Sequence, residues 1–354
     1  MNERRKWSER FLAALQEQHR IYFDPATREM RPEFAEYTPC PSCGSTRAAL
    51  RFEKDWFRYH ECADCALVYM NPRLNHKATQ QFYNSPVNEV YNETKFHDET
   101  LTTGDDQRNL ANLDLLAKHG SRGGKLLEIG CAKGFFLVKA RERGFEPFGV
   151  ELNAGLCEIA RKTIGDTVYD VDLFEAKLPA ERFDVLYMRD LIEHIPNPRP
   201  FFDELNRVGK PGAKIVLETH NVNALIHRIV RKKHTVIFGF EHPVHWSPAS
   251  ITAALKASGF VVDEIAFTSP DFSLRDLISH AGPATFTTIL PEPTGAVRRQ
   301  LTRALVFGLS LPGIRWLDYN LMSRIANWTG QGSVMRVIGH KVGAPSRRAA
   351  GAAE

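Results

Sequence analysis

The sequence predicts an α/β protein, with a mostly parallel β-sheet covered by helices on both faces and a small metal-binding module in front of it. Three observations predict it. From residue 125 onward, short apolar runs alternate with helical segments, the pattern of βαβ units in a parallel sheet buried on both sides. A glycine-bearing loop joins the first of those runs to the first helix. Upstream, four of the six cysteines fall as two C-x2-C pairs.

The 354 residues suit two or three domains. At 43% hydrophobic and 25% charged, the composition excludes a disordered, collagenous or coiled-coil chain. The net charge of +4 is too small to argue for nucleic acid by itself. The opening MNERRKWSERF lacks the apolar core of a secretory signal, and no run of 18 apolar residues occurs. A cytoplasmic setting is therefore expected. There, closely spaced cysteine pairs bind metal more often than they form disulfides.

Within residues 1–37, Trp7, Phe11, Leu12 and Leu15 recur at helical spacing among charges. They predict an amphipathic helix docked on the body. Residues 38–72 contain Cys40, Cys43, Cys62 and Cys65, with eighteen residues between the pairs. That is zinc-ribbon spacing. Two thiolates on a tight turn share one metal, and two such knuckles complete a tetrahedral shell of sulfur around Zn2+. A closed shell leaves no open position, so this metal is structural. His60 is surplus to it. Residues 73–104 read as a polar helical linker or cap.

The core is expected over 105–267 and 333–342. Its strands read as 125–129, 146–150, 167–171, 183–188, 213–218, 261–267 and 333–341. Helices are expected at 135–143, 154–162, 198–208 and 248–258. Ligands of such sheets sit beyond the carboxyl ends of the strands. After the first strand comes Glu128-Ile129-Gly130-Cys131-Ala132-Lys133-Gly134. Glycines admit a ligand close to the backbone, and the helix that follows offers unpaired N–H groups. This is not the G-x-G-x-x-G of dinucleotide sites. An acid two residues before the first glycine repels a pyrophosphate and suits a ligand with a cationic end. Glu151, 21 residues after Gly130, ends the second strand, where a carboxylate accepts both hydroxyls of a ribose. The third strand runs into Asp172-Leu173, suited to an amino group and a ring face of adenine.

These residues resemble the class I S-adenosylmethionine-dependent methyltransferases. LLEIGCAKGFF is similar to that family's first motif, with Ala132 in place of the usual middle glycine. FDVLYMRDLIEHIPNP, at 183–198, resembles the fourth-strand motif of the ubiquinone-biosynthesis-like, or type 12, branch. PGAKIVLETHN, EHPVHWSPASITAALKASGF and GSVMRVIGHK resemble the fifth strand, a later helix entry and the antiparallel last strand of the same branch, in which an N-terminal ribbon also occurs. The resemblance implies a Rossmann-like seven-stranded sheet, mostly parallel with an antiparallel last strand. It also implies S-adenosyl-L-methionine as cofactor. Glu128, Gly130 and Gly134 would hold the methionine end, Glu151 the ribose, and Asp172 with Leu173 the adenine, with Cys131, Leu152 and Arg189 lining the same site. Chemistry is then an in-line displacement that depends on alignment and desolvation. If the acceptor is a hydroxyl, a general base assists. His194, His220 and His245 are the candidates, with His242 and Asp190 nearby.

Residues 268–332 form an insertion before the last strand, rich in apolar, aromatic and arginine residues. It reads as a helical cap, as a lid for an apolar acceptor, or as a peripheral membrane contact through 284–330. A basic run at 227–234 reads as a solvated face or as a phosphate contact. The tail, 343–354, reads as disordered. A small-molecule, sugar or lipid-like acceptor is expected, with methylation of a hydroxyl favoured and no DNA partner. The competing readings are an RNA-directed methyltransferase that uses the ribbon as reader, an NAD-linked oxidoreductase, and a scaffold that binds the cofactor without turnover.

Overall fold

The computed structural model describes residues 3–87, 90, 103–225, 227, 239–268, 308 and 311–342. Helix α1 (Glu3–Tyr22) comes first, then β1 (Ala35–Glu36), β2 (Ala48–Lys54), β3 (Phe57–Cys62), β4 (Val68–Met70), β5 (Arg73–Leu74) and α2 (His76–Tyr83). Helix α3 (Thr103–Lys118) opens the second part. It leads into β6 (Gly124–Ile129), α4 (Phe135–Glu142), β7 (Phe145–Val150), α5 (Ala154–Ile164), β8 (Val168–Tyr169) and β9 (Phe183–Arg189). A 3-10 turn at Ile192–His194 precedes α6 (Pro198–Val208) and β10 (Gly209–His220). Then come β11 (Val244–His245), α7 (Pro248–Ala257), β12 (Phe260–Thr268), α8 (Pro312–Trp328) and β13 (Val334–Lys341).

Seven strands form one sheet in the order β12-β13-β10-β9-β6-β7-β8. β13 runs antiparallel to both its neighbours, and the β6, β7, β8, β9 and β10 pairings are parallel. This is the expected Rossmann-like sheet with its antiparallel last strand. The third strand is shorter than expected, covering 168–169, and the fifth is longer, covering 209–220. The period-2 alternation of a strand sends Leu127 and Ile129 of β6 to one face and Leu126 and Glu128 to the other. Leu127 and Ile129 join Phe202, Leu205, Ile251 and Leu255 beneath α6 and α7. Leu126 joins Leu113, Leu116, Phe136, Leu137 and Ala160 beneath α3, α4 and α5.

The four cysteines lie where their spacing predicts, but their module is not a separate bead. Strands β2, β3 and β4 form an antiparallel sheet whose fourth strand is β11, contributed by the core. Val244 pairs with Tyr69 and His245 with Val68, and the Met70 amide donates to the Pro243 carbonyl at 2.9 Å. Cys40, Cys62, Cys65 and Tyr69 share one apolar cluster with Trp246 and the sheet's own residues. A further cluster gathers Tyr22, Phe57, Tyr59, Phe82 and Phe240, with Phe11 and Leu15 of α1 packed against it. α1 is thus docked, as its periodicity predicts. The expected boundary at residue 73 is softer than the sequence suggests. β5 pairs back with β1, and the Arg73 guanidinium donates to the Pro196 carbonyl of the core at 2.6 Å. Most of the insertion, the basic run beyond His227 and the tail lie outside the described residues. α8 is the described part of the insertion.

Trp246 closes the seam between the two sheets. It is fully buried, and its indole N–H donates to the Ile192 carbonyl at 3.2 Å. Trp246→Ala is expected to destabilise the protein by about 3–5 kcal/mol through the cavity it leaves. Trp246→Phe should cost less, keeping a ring but orphaning the carbonyl. Urea denaturation of the two variants checks the ranking.

Candidate functional site

The loop after β6 is built on left-handed backbone. Gly130, Ala132 and Gly134 have φ values of 72°, 46° and 74°. A side chain at Gly130 would meet Leu191 at 3.3 Å, and one at Gly134 would meet Ala160 at 3.1 Å. Ala132 adopts with a Cβ the conformation that glycine adopts freely. The Gly130 and Cys131 amides donate to the Val150 carbonyl at 2.9 and 3.2 Å, which pins the loop to the end of β7. The Glu151 carboxylate sits there too. Its Oε2 accepts from the Ala132 amide at 2.9 Å and its Oε1 from the Asn153 amide at 2.8 Å. Each oxygen keeps a second lone pair for a ligand.

Glu128 is buried, and its Oε2 has no hydrogen-bond partner among the described residues. Burial raises its carboxyl well above the ordinary range, opposed by the charge of Arg189 and helped by that of Glu151. Helix α3 roofs this face of the sheet. Its Asn109 is 1% exposed and accepts from the Arg189 guanidinium at 2.8 Å, while its amide Nδ2 is also without a partner among the described residues. One step further along α3, Asn112 donates to the Tyr187 hydroxyl at 3.0 Å and to Glu218 at 3.2 Å. Glu218 is buried between Arg108 and Arg336, which donate to it through Nε at 2.6 and 2.7 Å. Burial alone would raise its carboxyl, but the two guanidiniums outweigh that and hold it low. The same Arg108 grips Asp190 at 2.9 and 3.1 Å. Asp190 itself has a φ of 50°.

Beyond β9 and β10 lies a histidine cluster. The rings of His194 and His242 are 4.6 Å apart edge to face, and His220 is 6.3 Å from His242. Glu193 is buried beneath them. It accepts from the Thr219 hydroxyl at 2.8 Å and lies 3.8 Å from His220 Nε2. Ligand-grade atoms of Glu193, His194 and His242, and of Asp190, Glu193 and His220, lie within 4.8 Å of one another, close enough for either trio to share a cation. Burial, and then the charge of Asp190, push the Glu193 carboxyl up to about 8.

Three expectations are corrected by burial. Leu173 is 3% exposed and packs in the core, so its side chain has no face to lay on a ring. Leu152 is 73% exposed and Phe174, beside Asp172, is 50% exposed. Cys131 turns its thiol into the core against Gly149, leaving only its backbone to the loop. His245 is buried in the seam with the ribbon, its ring 5.1 Å from that of Tyr59. Burial, and then the neighbouring histidines, hold its pKa well below the ordinary imidazole value. Asp172 caps a turn, its Oδ1 accepting from Phe174 and Glu175 at 2.8 and 2.7 Å. Asn109 and Arg108 went unread in the sequence. The available signal was an asparagine pair, 109 and 112, on the same stripe as Leu113 and Leu116.

In the four-cysteine cluster the two knuckles repeat the same turn. The Gly44 and Ala66 amides donate to the Cys40 and Cys62 carbonyls, and the Cys40 and Cys62 amides donate to the Ser45 and Leu67 carbonyls, all at 2.8–3.0 Å. Gly44 and Ala66 both have left-handed φ, at 75° and 57°.

Residues 103–265 match the family described as methyltransferase domain. Over that span the chain is similar to methyltransferase domains. A ubiquinone biosynthesis O-methyltransferase from Azoarcus sp. (strain BH72) is 30% identical to this chain over 123 residues, 32% of this chain and 52% of its own. Another, from Idiomarina loihiensis, is 28% identical over 149 residues, 40% of this chain and 58% of its own. The chain thus spans about half the length of the curated relatives it matches. A solved phosphoethanolamine N-methyltransferase 2 from Haemonchus contortus is 19% identical with a TM-score of 0.43, covering 69% of this chain and 54% of its own.

Glu193 is expected to make the stability of the fold depend on pH. Below about pH 4.5 the folded and unfolded chains both keep its proton. From there to about 8 the unfolded chain loses the proton while the folded chain holds it, so rising pH costs stability across that window. Glu193→Gln mimics the protonated acid. It is expected to gain stability relative to wild type between about pH 5 and about pH 8, read by urea denaturation. A difference that stays constant with pH would mean that the fold holds the carboxylate ionised.

Proposed function

We propose that the protein transfers a methyl group from S-adenosyl-L-methionine to a hydroxyl of a small-molecule, sugar or lipid-like acceptor. The observation that carries the reading is the pair of orphaned buried groups at the end of β6 and under α3. Glu128 Oε2 is an acceptor without a donor, and Asn109 Nδ2 a donor without an acceptor. An amino acid's ammonium and carboxylate satisfy both, and Arg189 adds a cation for the carboxylate. A pyrophosphate would meet Glu128 instead, which disfavours the NAD reading. Glu151, with a free lone pair on each oxygen, fits the ribose hydroxyls. Asp172 fits the adenine amino group, and the exposed Leu152 and Phe174 fit its ring faces.

S-adenosylmethionine, when bound, supplies a methyl already activated by its sulfonium. The chain's residues then align the acceptor, exclude water and accept its proton. His194, His220 and His242 line that side of the site. Of these, His220 Nε2 lies 3.8 Å from the buried Glu193 carboxyl, which can balance a charge on the ring only once that carboxyl is ionised. The curated relatives are O-methyltransferases, which supports a hydroxyl as acceptor. An RNA acceptor is disfavoured by the ribbon itself. Arg47, Arg51 and Arg58 are paired with Asp64, Glu61 and Glu53, so they form no free basic stripe.

The four thiols fit a structural zinc. Sulfurs 2.3 Å from a tetrahedral zinc stand about 3.8 Å apart. Here Cys40 and Cys65 Sγ are 3.5 Å apart, and Cys43 and Cys62 Sγ are 3.6 Å apart.

Glu151→Ala is expected to weaken binding of S-adenosylhomocysteine by about 1–3 kcal/mol in calorimetry. Wild type giving heat with NAD and none with S-adenosylhomocysteine would overturn the reading. Because β4 is paired to β11, chelation is expected to release one zinc per chain and weaken S-adenosylhomocysteine binding as well. Metal analysis and calorimetry before and after chelation check this. Full retention of affinity would mean that the ribbon folds apart from the core.

A further inference from the structure

The guanidinium of Arg73 reaches out of its own module. Arg73 lies on β5, paired with β1, and is buried although it carries a charge. Such a group is costly to bury unless its donors are satisfied. Inside the module, Nε and Nη2 donate to the two Glu36 oxygens at 3.1 Å each. Two further bonds cross to the core. Nη1 donates to the Pro196 carbonyl at 2.6 Å, and Nη2 to Asn197 Oδ1 at 3.1 Å.

The sequence around Asn197 directs its oxygen to that partner. Asn197 is the N-cap of α6, where an asparagine oxygen ordinarily accepts from the second or third helical N–H. Here the helix opens Pro198-Arg199-Pro200. The third position is a proline without an N–H, and Asn197 makes no side-chain cap bond to the helix. Pro196 and Asn197 close the loop that begins at Asp190 and carries Glu193 and His194. The first half of that loop is held by Trp246, whose indole N–H donates to the Ile192 carbonyl at 3.2 Å. Glu193 and His194 thus stand between two fixed points, each supplied by an element distant in sequence. A planar guanidinium fixes direction as well as distance, which a lysine ammonium does not.

We propose that Arg73 is a positioning residue, which reaches from the cysteine-bearing module and sets the loop that presents His194 to the acceptor. The proposal rests on the methyl-transfer reading for the placement of His194 beside the acceptor. Arg73 acts through the loop and not by contact with cofactor or acceptor. Glu36 belongs to the same device, since it holds the guanidinium in the plane that meets Pro196 and Asn197. The groups assigned to the cofactor, Glu128, Asn109 and Glu151, lie on other elements, so loss of Arg73 should leave cofactor affinity in place.

The test records the imidazole NMR resonances of His194 in the full chain, assigned with His194→Gln, for wild type, Arg73→Ala and Arg73→Lys. Arg73→Ala should shift these resonances, while its S-adenosylhomocysteine affinity stays within about twofold of wild type, as for independent sites. Free guanidinium ion at millimolar concentration should return them towards their wild-type positions. Arg73→Lys keeps the charge without the fork and should not restore them. With methyl-labelled S-adenosylmethionine and cell extract, Arg73→Ala should lose at least about tenfold in transfer, and guanidinium should recover part of it. If Arg73→Ala does not fold, Glu36→Gln takes its place and should shift the same resonances less. His194 resonances unchanged by the variant overturn the proposal, as does undiminished transfer. So does a shift that guanidinium does not reverse, because the change is then a general loss of structure. Wild type that transfers no methyl contradicts the methyl-transfer reading instead, and the His194 resonances still decide whether Arg73 sets the loop.

Discussion

The buried carboxylate of Glu218 is the constraint on which the site depends. A charge at the centre of a sheet is expensive unless it is paired and hydrogen-bonded. Three donors satisfy it: Arg108 and Asn112 from α3, and Arg336 from the antiparallel β13. Once that pairing exists, α3 can sit over the sheet in only one register. The register sets Asn109 beside Arg189 and leaves Arg108 a free edge for Asp190. The strained backbone at Asp190 is held by that grip. Asn109 Nδ2, under the same helix, is left without a partner among the described residues.

The ribbon is tied to the core by a shared strand. Its sheet takes β11 as an edge strand, so its outer edge is covered and it gains a second attachment besides the chain connection. β11 lies between His242 and Trp246. One short strand therefore links the cysteine knuckles to the histidine cluster and to the packing of α7. A metal in the knuckles would thus stabilise more than the 38–72 segment.

Much of the fold was legible because periodicity and order carry it. The alternation of runs after residue 125 marked the strands, and the order of motifs marked the antiparallel β13. The cysteine spacing brought four sulfurs together. The loop glycines and Glu151 also stood out, since backbone conformation and a strand-end acid leave local marks. What stayed hidden depends on partners distant in sequence. Nothing local in Val244-His245 says that it pairs with Tyr69 and Val68, so His245 read as a candidate base when it is a seam residue. Leu173 and Cys131 sit in loops at strand ends, and direction along a short irregular segment decides whether a side chain faces outward or into the core. Asn109 looks like any polar helix residue until Arg189 is placed against it. Glu128 was legible as an acid, but its lack of a partner is a property of the assembled face.

The most direct test of a methyl transfer at this site is incubation of the protein with methyl-labelled S-adenosylmethionine and fractionated cell extract, comparing wild type with Glu128→Gln. Label passing into a small molecule or lipid-like fraction, and lost with the variant, is the expected result. Label confined to RNA, or transfer unaffected by Glu128→Gln, would contradict it.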